Sequence, residues 1–235
     1  MSSFADFCTD YFKRYFELHP TDAIYYGIEG FDHLLNDYSD ESYRAETRFV
    51  EDSLSKLRQI PVEELDRDQA IDYALLEGRL TIQRYEHAKE DYRLKWPDLY
   101  LPTDAIYILT VRPVKDLAGS LLSRLNRSPQ LIQQGIVNLS RQAANPPSLW
   151  TKMAIDSARG GISFLETLPD HPKVRAEVKD STILQMRVEQ AKSAIADFAA
   201  FLQQDLVPRS RGNYAVGEEH YNLLLKKKHF LGHDT

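Results

Sequence analysis

The residues of this chain best suited to chemistry stand near its end, in "NYAVGEEHYNLLLKKKHFLGHDT". Glu218, Glu219 and His220 open a predicted helix, and His229 and His233 follow. Carboxylates and imidazoles at helical spacing are the donor set of a zinc centre. A zincin places H-E-x-x-H so that two imidazoles lie one turn apart with a glutamate as base. No histidine of this chain is followed by glutamate. The inverted order, H-x-x-E-H, comes closer: "VGEEH" supplies Glu219 and His220, but Val216 stands where the first ligand must be. His229 and His233 are one turn apart, yet Gly232 works against a rigid helix between them. The residues therefore predict no metal site and no cofactor within the chain. An acid–base pair of His220 with Glu218 or Glu219 rests on adjacency alone, so no catalytic residue is assigned.

Other reactive signatures are missing too. There is no G-x-x-x-x-G-K-[ST] phosphate loop, no G-x-G-x-x-G after a strand, and no G-x-S-x-G elbow around Ser120 or Ser163. Cys8 falls on an apolar helical stripe and reads as a small core residue. Asp32-His33 and Asp170-His171 sit in loop or cap contexts, where local hydrogen bonding accounts for both residue types. The 13 tyrosines are more suggestive. Several, including Tyr25, Tyr26, Tyr100 and Tyr107, fall in irregular stretches. A tyrosine joins a broad apolar ring to one hydrogen-bonding tip, which suits a wet cleft wall or an interface. These four, with Glu218 and His220, are the candidate substrate or partner contacts; packing between helices is the plainer account of the same tyrosines.

The elements that would position these residues read as helices throughout. Phe4, Phe7, Cys8, Tyr11, Tyr15 and Leu18 recur at steps of three and four and predict a helix that stops before Pro20. "PTDAIYYG" predicts a short helix stopped by Gly27, and a loop then runs to a cap at Ser39 or Asp40. Tyr43, Val50, Leu54 and Leu57 mark a second long helix. Ile71, Leu75, Ile82 and Tyr85 mark a third, capped by Asp66 or Asp68 and weakened at Gly78. Residues 95 to 113 are irregular and rich in proline, with "AIYILTV" as a short helix. Beyond them come helices on Leu117–Leu125, on "RSPQLIQQGIVNL" with Ser128 as cap, on "SLWTKMAIDSARGGISFLET", and on "STILQMRVEQAKSAIADFAAFLQQ". In that last helix Ile183, Val188, Ala191, Ile195, Phe198 and Leu202 trace the buried face. A final helix starts near Val216. Gly160-Gly161 inside its helix predicts a kink or a close helix contact. The fold class is all-α: one multi-helix domain of antiparallel helices over residues 1 to 235.

Composition narrows the partners. The chain has 235 residues, 29 Lys and Arg against 35 Asp and Glu, and a formal charge of −6. An uncompensated basic patch is what phosphate binding needs, so no nucleic acid is expected. Lys226 to Lys228 fall late in a helix, where the macrodipole favours cations. No apolar run approaches the ~18 residues that span a bilayer, and the first residues lack the apolar core of a signal peptide. With a single cysteine there is no internal disulfide. The expectation is a soluble, cytoplasmic protein with no membrane partner.

Several stretches resemble a known family. They are "FADFCTDYFKRYFELHPTDAIYYGIEGFDHLLNDYS", "RDQAIDYALLEGRL", the "RLNRSPQLIQQG" helix start, and "FAAFLQQDLVPRSRGNYAVGEEHYNLLL". In order and spacing the chain is similar to the N-terminal half of the bacterial domain-of-unknown-function 885 family, zinc-peptidase-like helical proteins about twice this length. Gly217, Glu218 and Tyr221 take the places of the glycine, acidic residue and tyrosine that open the family's next helix. The resemblance puts the family's zinc motif beyond Thr235, so no metal ligand carries over to any residue here. It implies a non-catalytic half that forms one wall of a substrate cleft. The missing C-terminal half, or a protein or peptide, would be its partner, and zinc would belong to the longer protein alone. The alternative is a stand-alone helical binding or scaffolding module that docks a partner or forms a homodimer.

Overall fold

The computed structural model describes residues 3–232. Among the described residues the chain is 75% helical and holds no strand, so the all-α expectation is met. The helices are α1 (Phe4–Leu18), α2 (Pro20–Ala23), α3 (Asp40–Leu57), α4 (Arg67–Lys89), α5 (Thr103–Val111), α6 (Leu117–Leu139), α7 (Ser148–Thr167), α8 (Pro172–Glu177), α9 (Ser181–Phe201) and α10 (Glu218–Lys227). The helices gather into two compact units. Unit 1 comprises Met1–Tyr15, Asp40–Tyr92 and Asn213–Thr235; unit 2 comprises Phe16–Ser39 and Arg93–Gly212.

In unit 1, α3 and α4 pack together and α10 packs on α4. Phe4, Phe7, Tyr11 and Tyr15 of α1 are buried, as their spacing predicts, with Tyr11 stacked on Phe49 of α3 at 5.2 Å. Val50, Leu54 and Leu57 form the buried stripe of α3. Asp66 caps α4 in a capping box: its carboxylate accepts from the Gln69 N–H, and the Gln69 side chain accepts in return from the Asp66 N–H. The stripe of α4 differs from the predicted one. Ile71 and Leu75 are each 52% exposed, whereas Leu76, Leu80 and Ile82 are buried. The triplet Ala74-Leu75-Leu76 wraps apolar surface around the helix, so spacing alone leaves the inward face undecided.

Gly78 explains itself by what it faces. A Cβ there would collide with the main-chain carbonyl of Lys227, so the bare backbone lets α10 approach α4 closely. Lys227 then reaches Glu77, which also accepts from Arg58 and Thr81.

Unit 2 is built on α6, α7 and α9. The predicted break at Ser128 is a correction: α6 runs unbroken from Leu117 to Leu139 with Pro129 inside it. Leu121, Leu125, Ser128, Ile132, Gly135 and Leu139 are all buried, at alternating steps of four and three. That continuous stripe outweighs the backbone bond lost at the proline. Ser128 is not a cap; its hydroxyl donates to the Arg124 carbonyl one turn back. Val188, Ala191, Ile195, Phe198 and Leu202 are buried along α9 as expected, with Leu184 rather than Ile183 at the start. The helix continues through a π turn at Leu202–Leu206 into Val207–Arg209. From there the Arg209 guanidinium donates to the carbonyls of Leu139, Arg141 and Ala144, satisfying groups left open where α6 ends. The "AIYILTV" stretch is helical, in α5. Gly161 makes the close helix contact: a Cβ on it would meet the Thr103 side chain at the start of α5.

Candidate functional site

Glu218, Glu219 and His220 occupy the first turn of α10, with Gly217 as N-cap at φ 85°. That left-handed backbone is one glycine adopts without strain. The carboxylates and the imidazole do not converge on an open position. His220 turns to α4, where its Nε2 lies 3.1 Å from Oε1 of Glu86 without hydrogen-bond alignment, and its ring sits 5.2 Å from the ring of Tyr85. Glu219 pairs with Lys89 at 3.2 Å and with the Tyr85 hydroxyl. The hydrogen bond with Tyr85, with help from Lys89, holds the Glu219 carboxyl below its usual range, and the same bond raises the Tyr85 phenol against the opposing pull of Lys89. Glu219 and His220 thus close α10 onto α4, while Glu218 is exposed. Among the described residues no three His, Cys, Asp or Glu side chains come close enough to share a metal ion. The donors present do not fit a zinc centre. His229 is exposed, and His233 lies outside the described residues.

The tyrosines divide. Tyr25, Tyr26 and Tyr107 are 51%, 65% and 49% exposed and remain available as contacts. Tyr100 is fully buried in unit 2. Its hydroxyl donates to the Arg93 carbonyl at 2.7 Å and accepts from Asn138 Nδ2 at 3.1 Å. Arg93 and Asn138 both donate to the Tyr38 carbonyl at 2.9 Å, and Gln134 bonds both the Tyr38 N–H and Asp37. This network pins the loop leading to α3, so Tyr100 holds the scaffold and does not reach a surface.

Two features escaped the sequence reading. In unit 1, α1 and α3 with the turn at Gln59–Pro61 enclose an open groove of about 970 Å³. Its floor is the stacked Phe7, Tyr11 and Phe49. Its rim carries Asp10 and Arg14 one turn apart on α1, and Arg48, Asp52 and Lys56 on successive turns of α3. The second is a buried cluster in the same unit. His87 Nε2 lies 3.8 Å from Glu46, which accepts from the Tyr92 hydroxyl at 2.8 Å, while the Tyr43 ring covers the imidazole at 5.5 Å. Burial pushes the His87 pKa down, and Asp91 and Glu51 only partly oppose it. The alternating charges of α1 and α3 were legible as helical spacing, but only the pairing of those helices turns them into a rim.

The fold built by the described residues is all-α. Residues 20–234 match the family model described as "Bacterial protein of unknown function (DUF885)", and the chain belongs to that family. No curated protein matches it. Among solved structures it is similar to a "putative lipoprotein of unknown function" from Shewanella oneidensis, with a TM-score of 0.81 at 22% identity. That match covers 100% of this chain and 44% of the Shewanella chain, so this chain spans less than half the length of that protein. The likeness establishes the fold. No helix among the described residues is long and apolar enough to cross a membrane.

Proposed function

We propose that this chain is the non-catalytic helical half of a longer, zinc-dependent peptidase-like protein and lines one side of its substrate cleft. The observation that carries this reading is the coverage: the whole chain corresponds to 44% of a longer relative in fold. Supporting it, the polar residues best placed for chemistry, Glu219 and His220, are engaged in holding α10 to α4. The peptidase class rests on the family resemblance. Exposed Tyr25, Tyr26 and Tyr107 serve as the contacts to substrate or to the other half; Tyr100 does not.

The test begins with the intact mass of the protein from its native cells, followed by hydrolysis of a fluorogenic peptide library with and without a chelator. The expected result is a mass well above 27.1 kDa, chelator-sensitive hydrolysis by that product, and none by residues 1–235 alone. Chelator-sensitive hydrolysis by residues 1–235 would overturn the non-catalytic assignment. A native mass of 27.1 kDa would replace the reading with that of a stand-alone binding module.

A further inference from the structure

The chain contains two tryptophans, and both line one pocket of unit 2. Trp96 precedes the turn at Pro97–Tyr100, and Trp150 lies in the first turn of α7. Their rings sit 5.5 Å apart at 44°, forming two walls of a cleft of about 450 Å³. Met153 and Ser157, three and seven residues after Trp150, continue the α7 wall on the same face. Trp96 is 50% exposed and Met153 56% exposed, so the cleft opens to solvent along an apolar lip. Tryptophan is the largest apolar side chain and buries much of its surface in most proteins. Leaving it half exposed, beside an exposed methionine, forfeits burial that a ligand would recover.

Two charges define what that ligand would be. Asp98 stands exposed in the pocket and forms no ion pair among the described residues. The ammonium of Lys95 lies 6.0 Å from the centroid of the Trp150 ring, at the outer limit of a cation–π contact. The chain's own lysine thus already presents an alkylammonium to this indole. Aromatic faces carry negative potential and recognise weakly hydrated organic cations, and an adjacent carboxylate supplies the balancing charge.

We propose that the Trp96–Trp150 cleft is a binding site for an organic cation with an alkylammonium head. The indoles pack on its methyl or methylene groups, Asp98 balances its charge, and Lys95 competes from the side. This site is separate from the groove and from the α10 clasp, and it stands or falls independently of the peptidase reading.

Both tryptophans lie in the site, so tryptophan emission, excited at wavelengths where the 13 tyrosines do not absorb, reports on it. Choline, tetramethylammonium and N-acetyl-lysine amide are titrated against 3,3-dimethylbutan-1-ol, the uncharged isostere of choline. The expected result is a saturable shift in emission with the cations and roughly three- to thirty-fold weaker binding of the isostere. Preference for choline or for the lysine amide then distinguishes a free cation from a peptide side chain as the source. Trp96→Leu should abolish the choline response of Trp150 while leaving thermal unfolding unchanged, since Trp96 is half exposed. Asp98→Asn should weaken binding several-fold, and Lys95→Gln should tighten it. Equal binding of choline and its isostere would reduce the cleft to an apolar pocket and overturn the proposal. So would the absence of a saturable response to any cation, or an unchanged affinity in Trp96→Leu.

Discussion

Arg124 takes a full charge into the interior of unit 2 with 0% of its surface exposed. Its Nη1 donates to the Ala105 carbonyl, while Nε and Nη2 are buried without a partner. Burial lowers its pKa to about 10 against the opposing pull of Asp32 and Tyr25, so it stays protonated at neutral pH. A desolvated charge without a carboxylate costs more than one carbonyl contact returns. Arg124→Met keeps the length and removes the charge. It should leave stability unchanged or raise it by about 1–2 kcal/mol in urea unfolding, and a loss of similar size would show that the carbonyl contact dominates. Nothing in the sequence distinguishes Arg124 from the exposed arginines around it. Its burial comes from the stripe of α6, where it lies one turn after Ser120 and one turn before Ser128, both of which are buried.

At the scale of the element, Gly78 separates local propensity from packing. In a free helix, replacing it by alanine would stabilise by about 1 kcal/mol. Here the added methyl meets the Lys227 carbonyl, a main-chain atom that cannot rotate away. Gly78→Ala should therefore destabilise by about 1–3 kcal/mol and speed hydrogen exchange in Glu218–Lys227 while leaving α6 and α9 unaffected. Exchange unchanged in that segment would show that α10 is held by its side-chain pairs alone. The glycine was visible in the sequence, but its partner 149 residues later was not. The same limit explains α4 and α6. Periodicity located both, yet the face of α4 depends on where α3 and α10 lie, and the passage of α6 through Pro129 depends on a stripe that α9 buries. Where the stripe was sharp, as in α1, α3 and α9, the buried residues were read almost correctly. Ser128 reads as a cap in the sequence and makes an interior bond in the fold, because polarity alone does not tell the two apart, while Tyr100 takes the plainer of its two readings and packs between helices.

For the molecule as a whole, acid should act through Glu77. Burial raises its pKa, but hydrogen bonds from Arg58, Lys227 and Thr81 outweigh that and bring it to about 2. An unfolded glutamate titrates near ~4.3, so the folded state holds fewer protons in this range. The stability contributed by Glu77 is therefore complete above the unfolded value and is lost as pH falls through about 4.5 towards 2. Glu77→Gln should be less stable than the parent at pH 7, with the gap closing as pH approaches 2. A gap that stays constant with pH would show that shape, not charge, is what Glu77 provides. The all-α class and family membership were legible from spacing and landmark order, whereas the division into two units was not. Hydrophobic periodicity says which face a helix hides, and is silent on which distant segment hides it.

That division sets an order on synthesis. Unit 1 draws on the first 15 residues, on 40–92, and on a final segment beginning at Asn213, with the long run 93–212 of unit 2 in between. A ribosome delivers every segment of unit 2 before it delivers α10. Unit 2 is therefore delivered in full before unit 1 is complete, and α4 waits with Gly78 uncovered until α10 emerges. Until α10 arrives, the face of α4 around Gly78 stays open, and transiently exposed surface of this kind is prone to aggregate.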